Sequence, residues 1–239
     1  MRKLLFPALA AVLALAGCQN SDKTAPDVRT LELTGDVKEV YLSVLAISNS
    51  MDEEQGDPWL EDDELFVSFD EQGRVTRDPY GNEFAYDEDG DFTGTYAEWT
   101  EVERDAQGRL IAFDNTEIPE ERFDDFDVTG YCKLNFTYDA QGRVVKEEYT
   151  GWEWGSTTQR SYEGSKFYPS QAVEEFHDAG SNEKTTYTYD YLEFDARGNW
   201  TEREVTAVTE AWEEGSEDEV ERYTIVTREV RTINYWSSK

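Results

Sequence analysis

The chain has only two cysteines and one histidine among its 239 residues. A structural zinc site uses four Cys or His ligands, and a serine or cysteine triad uses a histidine as its base. The single histidine, His177, lies in a Phe-His-Asp-Ala-Gly segment typical of a turn. Cys132 alternates with apolar residues, as a small buried hydrophobic residue on a strand does. We therefore predict no catalytic residue and no cofactor.

Positive charge is also scarce. The chain carries 22 Lys and Arg against 54 Asp and Glu, for a net charge of −32. Such a charge repels phosphate groups, so nucleic acid is excluded as a partner. Aromatic residues nevertheless make up 14% of the chain, which is enough material for a packed interior. The protein is therefore expected to be folded despite its charge.

No apolar run is long enough for a transmembrane helix. The longest, Leu4 to Leu15 behind Arg2 and Lys3, has about a dozen residues where a span needs roughly 20. It ends in Leu-Ala-Gly-Cys, a motif that resembles the signal of bacterial lipoproteins. The resemblance implies cleavage before Cys18, a lipid on Cys18 and attachment to a membrane. Because Gln19 rather than Asp follows Cys18, the resemblance also implies attachment to the outer membrane. It does not specify which leaflet of that membrane carries the protein.

A degenerate phrase recurs along the chain: an aromatic residue, Asp, two variable residues, Gly, then often Arg or Asn and an apolar residue. Asp70, Asp87 and Asp105 recur at intervals of about 18 residues, a period typical of stacked supersecondary units. The copies are Phe69–Val75, Tyr86–Phe92, Tyr138–Val144 and Phe194–Trp200, with variant copies at Arg104–Leu110 and Phe126–Tyr131.

The chemistry of the phrase is that of a hairpin turn. Asp accepts hydrogen bonds from backbone amides two residues on, and Gly follows in the left-handed conformation as a bulge. We therefore predict an all-β fold, an antiparallel meander of repeated hairpins forming a single curled, open, solenoid-like sheet. The expected organisation is a signal peptide at 1–17, a lipid-anchored linker at 18–30 and one sheet domain at 31–239.

Three segments receive more specific predictions. A strand pair is expected around Gly35 within 31–47, and a short helical turn is possible at 170–177. Two β-rich runs, 200–212 and 220–236, are expected to form cross-strand ion pairs on a solvated face. The charged residues of those runs are Arg203, Glu204, Arg222, Arg228, Glu229 and Arg231.

The phrase resembles the YD repeat of rearrangement-hotspot (RHS) proteins and of a group of small Gram-negative lipoproteins. The likeness covers most of residues 31–201, although 146–190 match poorly. It implies a curled antiparallel sheet with no catalytic residues to carry over. The large RHS proteins enclose cargo in a shell of many repeats, and this chain has too few copies for that.

Two small constellations suggest binding. Asp87, Asp89 and Asp91 alternate like the oxygen ligands of a calcium loop, although Phe92 stands where such a loop needs Gly and the same residues fit a repeat turn. Trp152 and Trp154 share one face of an extended segment, where exposed indoles could stack on sugar rings.

The leading functional hypothesis is a lipid-anchored envelope protein whose repeat sheet is a non-catalytic binding or structural scaffold. One alternative is a protein that binds glycans, or an enzyme that acts on them through carboxylates. A second alternative is a calcium-binding envelope protein. A protein or glycan ligand fits the leading hypothesis.

Overall fold

A computed structural model describes residues 25–50, 60–77, 83–89, 91–93, 100–114, 116, 133–151, 154–216 and 220–236. It contains one short helix, α1 (Pro26–Thr30), and twelve strands. The strands are β1 (Val37–Asn49), β2 (Leu60–Phe69), β3 (Val75–Arg77), β4 (Glu101–Arg104), β5 (Leu110–Asp114), β6 (Lys133–Tyr138), β7 (Val144–Thr150), β8 (Gly155–Ser161), β9 (Gln171–His177), β10 (Ser181–Phe194), β11 (Trp200–Glu213) and β12 (Glu221–Tyr235). None of the helices within these ranges is long and apolar enough to cross a membrane.

The strands form a single antiparallel sheet in the order β3-β2-β1-β12-β11-β10-β9-β8-β7-β6-β5-β4. Strands that are consecutive in the chain are therefore neighbours in the sheet, with the single exception of β3 and β4. The first and last strands, β1 and β12, pair along most of their length, whereas β3 and β4 are the two edges. The predicted all-β meander in an open, curled sheet is confirmed.

The repeat phrases form the predicted turns. In the copy at 138–144, Asp139 Oδ1 accepts the backbone N–H groups of Gln141 and Arg143. Gly142 has φ +80°, a left-handed backbone conformation that is strained for residues with a side chain. The same two side-chain bonds are made by Asp70, Asp105 and Asp195, and each of these turns has its Gly at positive φ. The variant copy at 126–131 lies outside the described residues.

Asp27 of α1 holds the two edges of the sheet near each other. Its carboxylate, in a residue only 4% exposed, accepts two hydrogen bonds from the Arg104 guanidinium of β4, at 2.5 and 2.9 Å. It also accepts the N–H of Val75, the first residue of β3, at 3.1 Å. A paired, hydrogen-bonded carboxylate is the form in which a charge is tolerated in an interior. The sheet is thus curled around α1.

Two clusters of buried apolar residues lie inside the curl. One joins α1 to β1, β2 and β3, and the other joins β5, β6 and β7. Phe84, from the segment between β3 and β4, packs against both clusters and contacts Phe113 edge-on with ring centroids 5.4 Å apart. The core residues are Val28, Leu33, Val37, Val40, Val67, Phe69 and Val75 in the first cluster, and Phe113, Leu134 and Tyr149 in the second.

The structure corrects three local predictions. Residues 31–36 are not a strand, so β1 has no partner across Gly35; it pairs with β12 and β2 instead. Residues 171–177 are strand β9 rather than a helical turn, because both β8 and β10 supply backbone partners there. The predicted linker at 18–30 includes α1, and since Val28 is buried in the first core cluster, packed structure begins before residue 31.

Candidate functional site

A cavity of about 440 Å³ lies inside the curl of the sheet. Ligand sites in proteins commonly have volumes of roughly 300–1,000 Å³. Strands far apart in the sheet order face each other across it, since β2 and β3 approach β5 and β6 when the sheet curls. The lining residues are Asp27, Leu31, Glu32, Phe66, Val75, Phe84, Leu110, Phe113, Leu134, Phe136, Glu147, Arg160, Tyr189, Arg203 and Arg231.

One wall of the cavity is apolar. It is built by β5 and β6, which contribute Leu110, Phe113, Leu134 and Phe136, and by Phe84 beside them. Leu134 and Phe136 face inward because alternate residues of a strand share one face of the sheet. Leu110 and Phe113, three residues apart, share that face because β5 has a register shift between Leu110 and Ala112. The wall has no hydrogen-bonding side chain, so it fits an apolar body.

The other wall carries two partly buried arginines that are paired with carboxylates. The guanidinium of Arg160 on β8 donates to Glu147 on β7 at 2.7 Å, and that of Arg203 on β11 donates to Glu229 on β12 at 2.8 and 2.7 Å. Burial alone would lower both pKa values. The nearby carboxylates outweigh this effect and raise both pKa values above their usual range. For Arg160 the carboxylates are those of Glu147 and Glu32, and for Arg203 those of Glu229 and Glu32.

A third arginine, Arg231 on β12, has no such partner. It is 7% exposed, and none of the ion pairs among the described residues includes it. Its Nε and Nη1 atoms are buried and find no hydrogen-bond acceptor within the described part of the chain. Its guanidinium instead stands over the Trp200 ring at 3.6 Å and the Phe66 ring at 5.6 Å. Burial, together with the charge of Arg203, lowers the pKa of Arg231 to about 9, which still leaves it a cation at neutral pH.

Glu32 places a carboxylate among these arginines at a conformational cost. It is the one residue other than glycine with positive φ in the described chain, at +61°. Its Oε2 atom is buried without a hydrogen-bond donor and lies 3.7 Å from Nη1 of Arg203. Left-handed backbone outside glycine costs about 1–3 kcal/mol and clusters at functional sites. Its position therefore agrees with a site in this cavity.

The prediction of a solvated face for the C-terminal ion pairs is correct for one half of the residues and wrong for the other. Arg228 contacts Glu204 on the outer face, at 3.8 Å. Arg203, Glu229 and Arg231 lie on the inner face instead. The signal that would have found them is the period of two: residues 229 and 231 share parity with Ile225, Ile233 and Tyr235, the apolar side of β12.

The arginines of the repeat turns have a different role that the sequence reading also missed. Each donates from Nε to the second oxygen of its own turn Asp, as Arg143 does to Asp139 at 2.7 Å. Each also stacks over a tyrosine ring: Arg74 on Tyr86, Arg109 on Tyr138 and Arg143 on Tyr162, at 4.6, 4.4 and 4.4 Å. These turns lie along the rim of the sheet, and their charges are neutralised locally.

Of the two predicted glycan-binding tryptophans, only Trp154 lies within the described residues. It is 37% exposed and one of its faces is stacked on Tyr149, with ring centroids 4.3 Å apart. Trp154 lines a shallow surface groove with Phe176, Asp178 and Ala179. Whether Trp152 joins it is not described, so the paired platform stays a prediction, as does glycan binding.

The remaining candidate residues are found in turns or lie outside the described ranges. Asp87 Oδ1 accepts the N–H groups of Asp89 and Asp91, which is the repeat-turn arrangement, and calcium binding there stays a prediction. No group of three or more His, Cys, Asp or Glu within the described chain is arranged to hold a metal. His177 ends β9 next to the turn at Asp178, with its ring against Gly155. Cys18 and Cys132 lie outside the described residues.

Fold and cavity together define the class: an open antiparallel meander, curled around one short helix, with an internal cavity that has one apolar and one arginine-rich wall. No model of a known protein family matches the chain, and no curated protein sequence matches it either.

Proposed function

We propose that this protein is a lipid-anchored cell-envelope protein, held at the outer membrane through Cys18, whose curled sheet is a non-catalytic binding module for a small ligand. The observation that carries the proposal is the cavity of about 440 Å³ with two chemically different walls. A concave, mostly apolar site with a few converging polar groups is the usual form of a small-molecule site. The lipobox-like motif before Cys18 and the YD-like turns support the remaining parts of the proposal.

The binding part is tested with N-phenyl-1-naphthylamine, an uncharged dye that fluoresces in apolar surroundings. Replacing Leu110 on the apolar wall by Trp fills part of the cavity, so we expect the dye to bind the purified full chain several-fold more weakly. Leu192→Trp is the matched control, because Leu192 is 43% exposed and does not line the cavity. Equal dye binding by wild type and both variants would show that the cavity is not the binding site.

The anchoring part is tested by fractionation of cells. Cys18→Ser should move the protein out of the outer-membrane fraction, as unprocessed precursor or as soluble protein, since the acylated residue is gone. Cys132→Ser is the matched control, because it changes the other of the two cysteines and leaves the lipobox intact. An unchanged distribution of Cys18→Ser would contradict lipid anchoring.

A second candidate is glycan binding at the Trp154 groove, favoured by the exposure of that indole beside Asp178. An aromatic ring next to a carboxylate offers a stacking surface and a hydroxyl acceptor. Trp154→Ala should then abolish retention on immobilised envelope polysaccharide, while Trp236→Ala, whose indole lies beside Lys38 and does not line the groove, should leave it unchanged. Equal retention of both variants would remove this candidate.

A further inference from the structure

The cavity is richer in unused hydrogen-bond donors than in acceptors. Among the side chains that line it, the buried donors without a partner in the described chain are Nε and Nη1 of Arg231 and Nη1 of Arg160. The buried acceptor without a partner at this site is Oε2 of Glu32. An unpaired buried donor lowers the stability of the folded chain, and more so when it is charged. A group that brings acceptor oxygens would relieve that cost.

The pairing of the arginines at this wall gives the charge of that group. Arg160 and Arg203 each have a carboxylate at 2.7 Å, and Arg104 has Asp27 at 2.5 Å. Glu32 is the fourth carboxylate, and it lies 3.7 Å from Arg203. Arg231 is therefore the one of the four arginines without an ion-paired carboxylate in the described structure, and an acceptor with one negative charge would give it the kind of partner that the other three have. Since Glu32, Glu147 and Glu229 are close by, a dianionic group would be repelled more strongly than a monoanion.

The apolar wall gives the body of the ligand. Phe66 connects the two walls, because it lines the cavity and lies under the Arg231 guanidinium at 5.6 Å. A charged head on Arg231 would therefore place an attached chain against Phe66, Phe84 and the residues of β5 and β6. Burying each CH₂ group of such a chain against this wall would add to the affinity.

We infer that the ligand of this cavity is a monoanionic amphiphile, an aliphatic carboxylate whose head accepts hydrogen bonds from Arg231 and whose chain lies on the wall formed by β5 and β6. The inference rests on the proposed function of the cavity as a binding site. An alkyl phosphate fits less well, because its second charge faces the carboxylates. Positively charged amphiphiles are disfavoured by the same guanidinium.

The test compares three probes that share one chain and differ in the head: decanoate, decanol and decyltrimethylammonium. Binding to the purified full chain is measured by displacement of N-phenyl-1-naphthylamine below the micellar concentration of each probe. We expect decanoate to bind about tenfold or more tightly than decanol, as a charge-assisted hydrogen bond permits, and decyltrimethylammonium to bind most weakly. This comparison uses wild-type protein and needs no variant to fold.

The residue is tested with Arg231→Met, which should reduce decanoate affinity to the level of decanol and leave decanol unchanged. Arg228→Met is the matched control, on the outer face of the same strand, and should leave both unchanged. Decanoate binding no tighter than decanol, or equal losses for both probes in Arg231→Met, would overturn the inference about the head group while leaving the cavity a binding site. Absence of binding by all three probes would overturn the proposed function as well.

Discussion

The rim of the sheet and the inner wall of its curl use the same residue types in opposite ways. On the rim, each arginine is paired with the Asp of its own turn four residues earlier, as in Arg143 and Asp139. On the inner wall the partners come from neighbouring strands, as in Arg203 and Glu229, and Arg231 has none within the described structure. Rim arginines stabilise a local turn. An unpaired inner arginine costs stability, so binding is the more reasonable explanation for it.

The comparison also separates two kinds of aromatic contact. A rim tyrosine lies under an arginine, and its ring is held in place by its own hydroxyl. Tyr162, under Arg143, donates to the carbonyl of Val144 at 2.6 Å. On the inner wall one fully buried ring, Trp200, contacts both Arg203 and Arg231, at 4.1 and 3.6 Å. The rim contact closes a hairpin, whereas the inner contact holds two cations beside the cavity.

The largest effect should come from breaking a paired inner arginine. Arg203→Met leaves Glu229 and Glu32 without their nearest cation, so the free energy of unfolding should fall on the order of 3 kcal/mol. Arg231→Met leaves no carboxylate without a partner, and the flexible Met chain can pack on Trp200. It should therefore change stability by less than about 1 kcal/mol or increase it. Urea denaturation of the full chain measures both; similar losses would assign Arg231 a structural role.

The next largest effect should come from a turn glycine on the rim. Gly142→Val places a β-branched residue at φ +80° and should cost about 1–3 kcal/mol. A Cβ there would meet only Arg109 at an ordinary 3.5 Å, so the cost is one of backbone strain. Gln141→Ala, one position earlier, should change stability by less than about 0.5 kcal/mol. Equal effects of the two substitutions in urea titrations would refute the turn assignment.

Arg143→Lys should have a smaller effect on the rim. Lysine keeps the charge but loses the planar stack on Tyr162 and the additional hydrogen bonds to the carbonyls of Gly164 and Lys166. We expect a loss of about 1 kcal/mol in unfolding free energy. Arg222→Lys serves as the control, since Arg222 is exposed and its contact with Glu210 is 3.8 Å. If Arg143→Lys leaves the free energy of unfolding unchanged, then the positive charge alone stabilises this turn.

The smallest effect should be the pH dependence of one rim carboxylate. Burial would raise the pKa of Asp139, but hydrogen bonds from the backbone and side chain of Arg143 outweigh it and lower that pKa below its usual value. A lowered folded-state pKa contributes stability that is present above the unfolded value, about 3.9, and is lost as pH falls through the folded value. Asp139→Asn should therefore have a lower free energy of unfolding than wild type at pH 7. The difference in unfolding free energy between the two proteins should become smaller towards pH 3. A constant difference in urea titrations across that range would argue against this linkage.

The sequence by itself determined the local unit of the fold. Asp at the first turn position and Gly at the fourth specify a hairpin without help from distant residues, because an Asx bond and a positive φ are short-range requirements. With several copies at a shared period, the antiparallel meander follows. The long strands β11 and β12 were equally readable, since β-branched and aromatic residues dominate both runs.

Only the tertiary structure decided what the curl encloses. The pairing of β1 with β12, the return of α1 onto both edges through Asp27, and the inner position of Arg231 all depend on residues far apart in the chain. From the sequence alone, an arginine in a strand rich in charged residues is predicted to be exposed to solvent. The same alternation of residues is found on a solvent-exposed face and on the face of a curled sheet that lines a cavity. The turns follow from local chemistry, and the cavity from the direction in which the sheet curls.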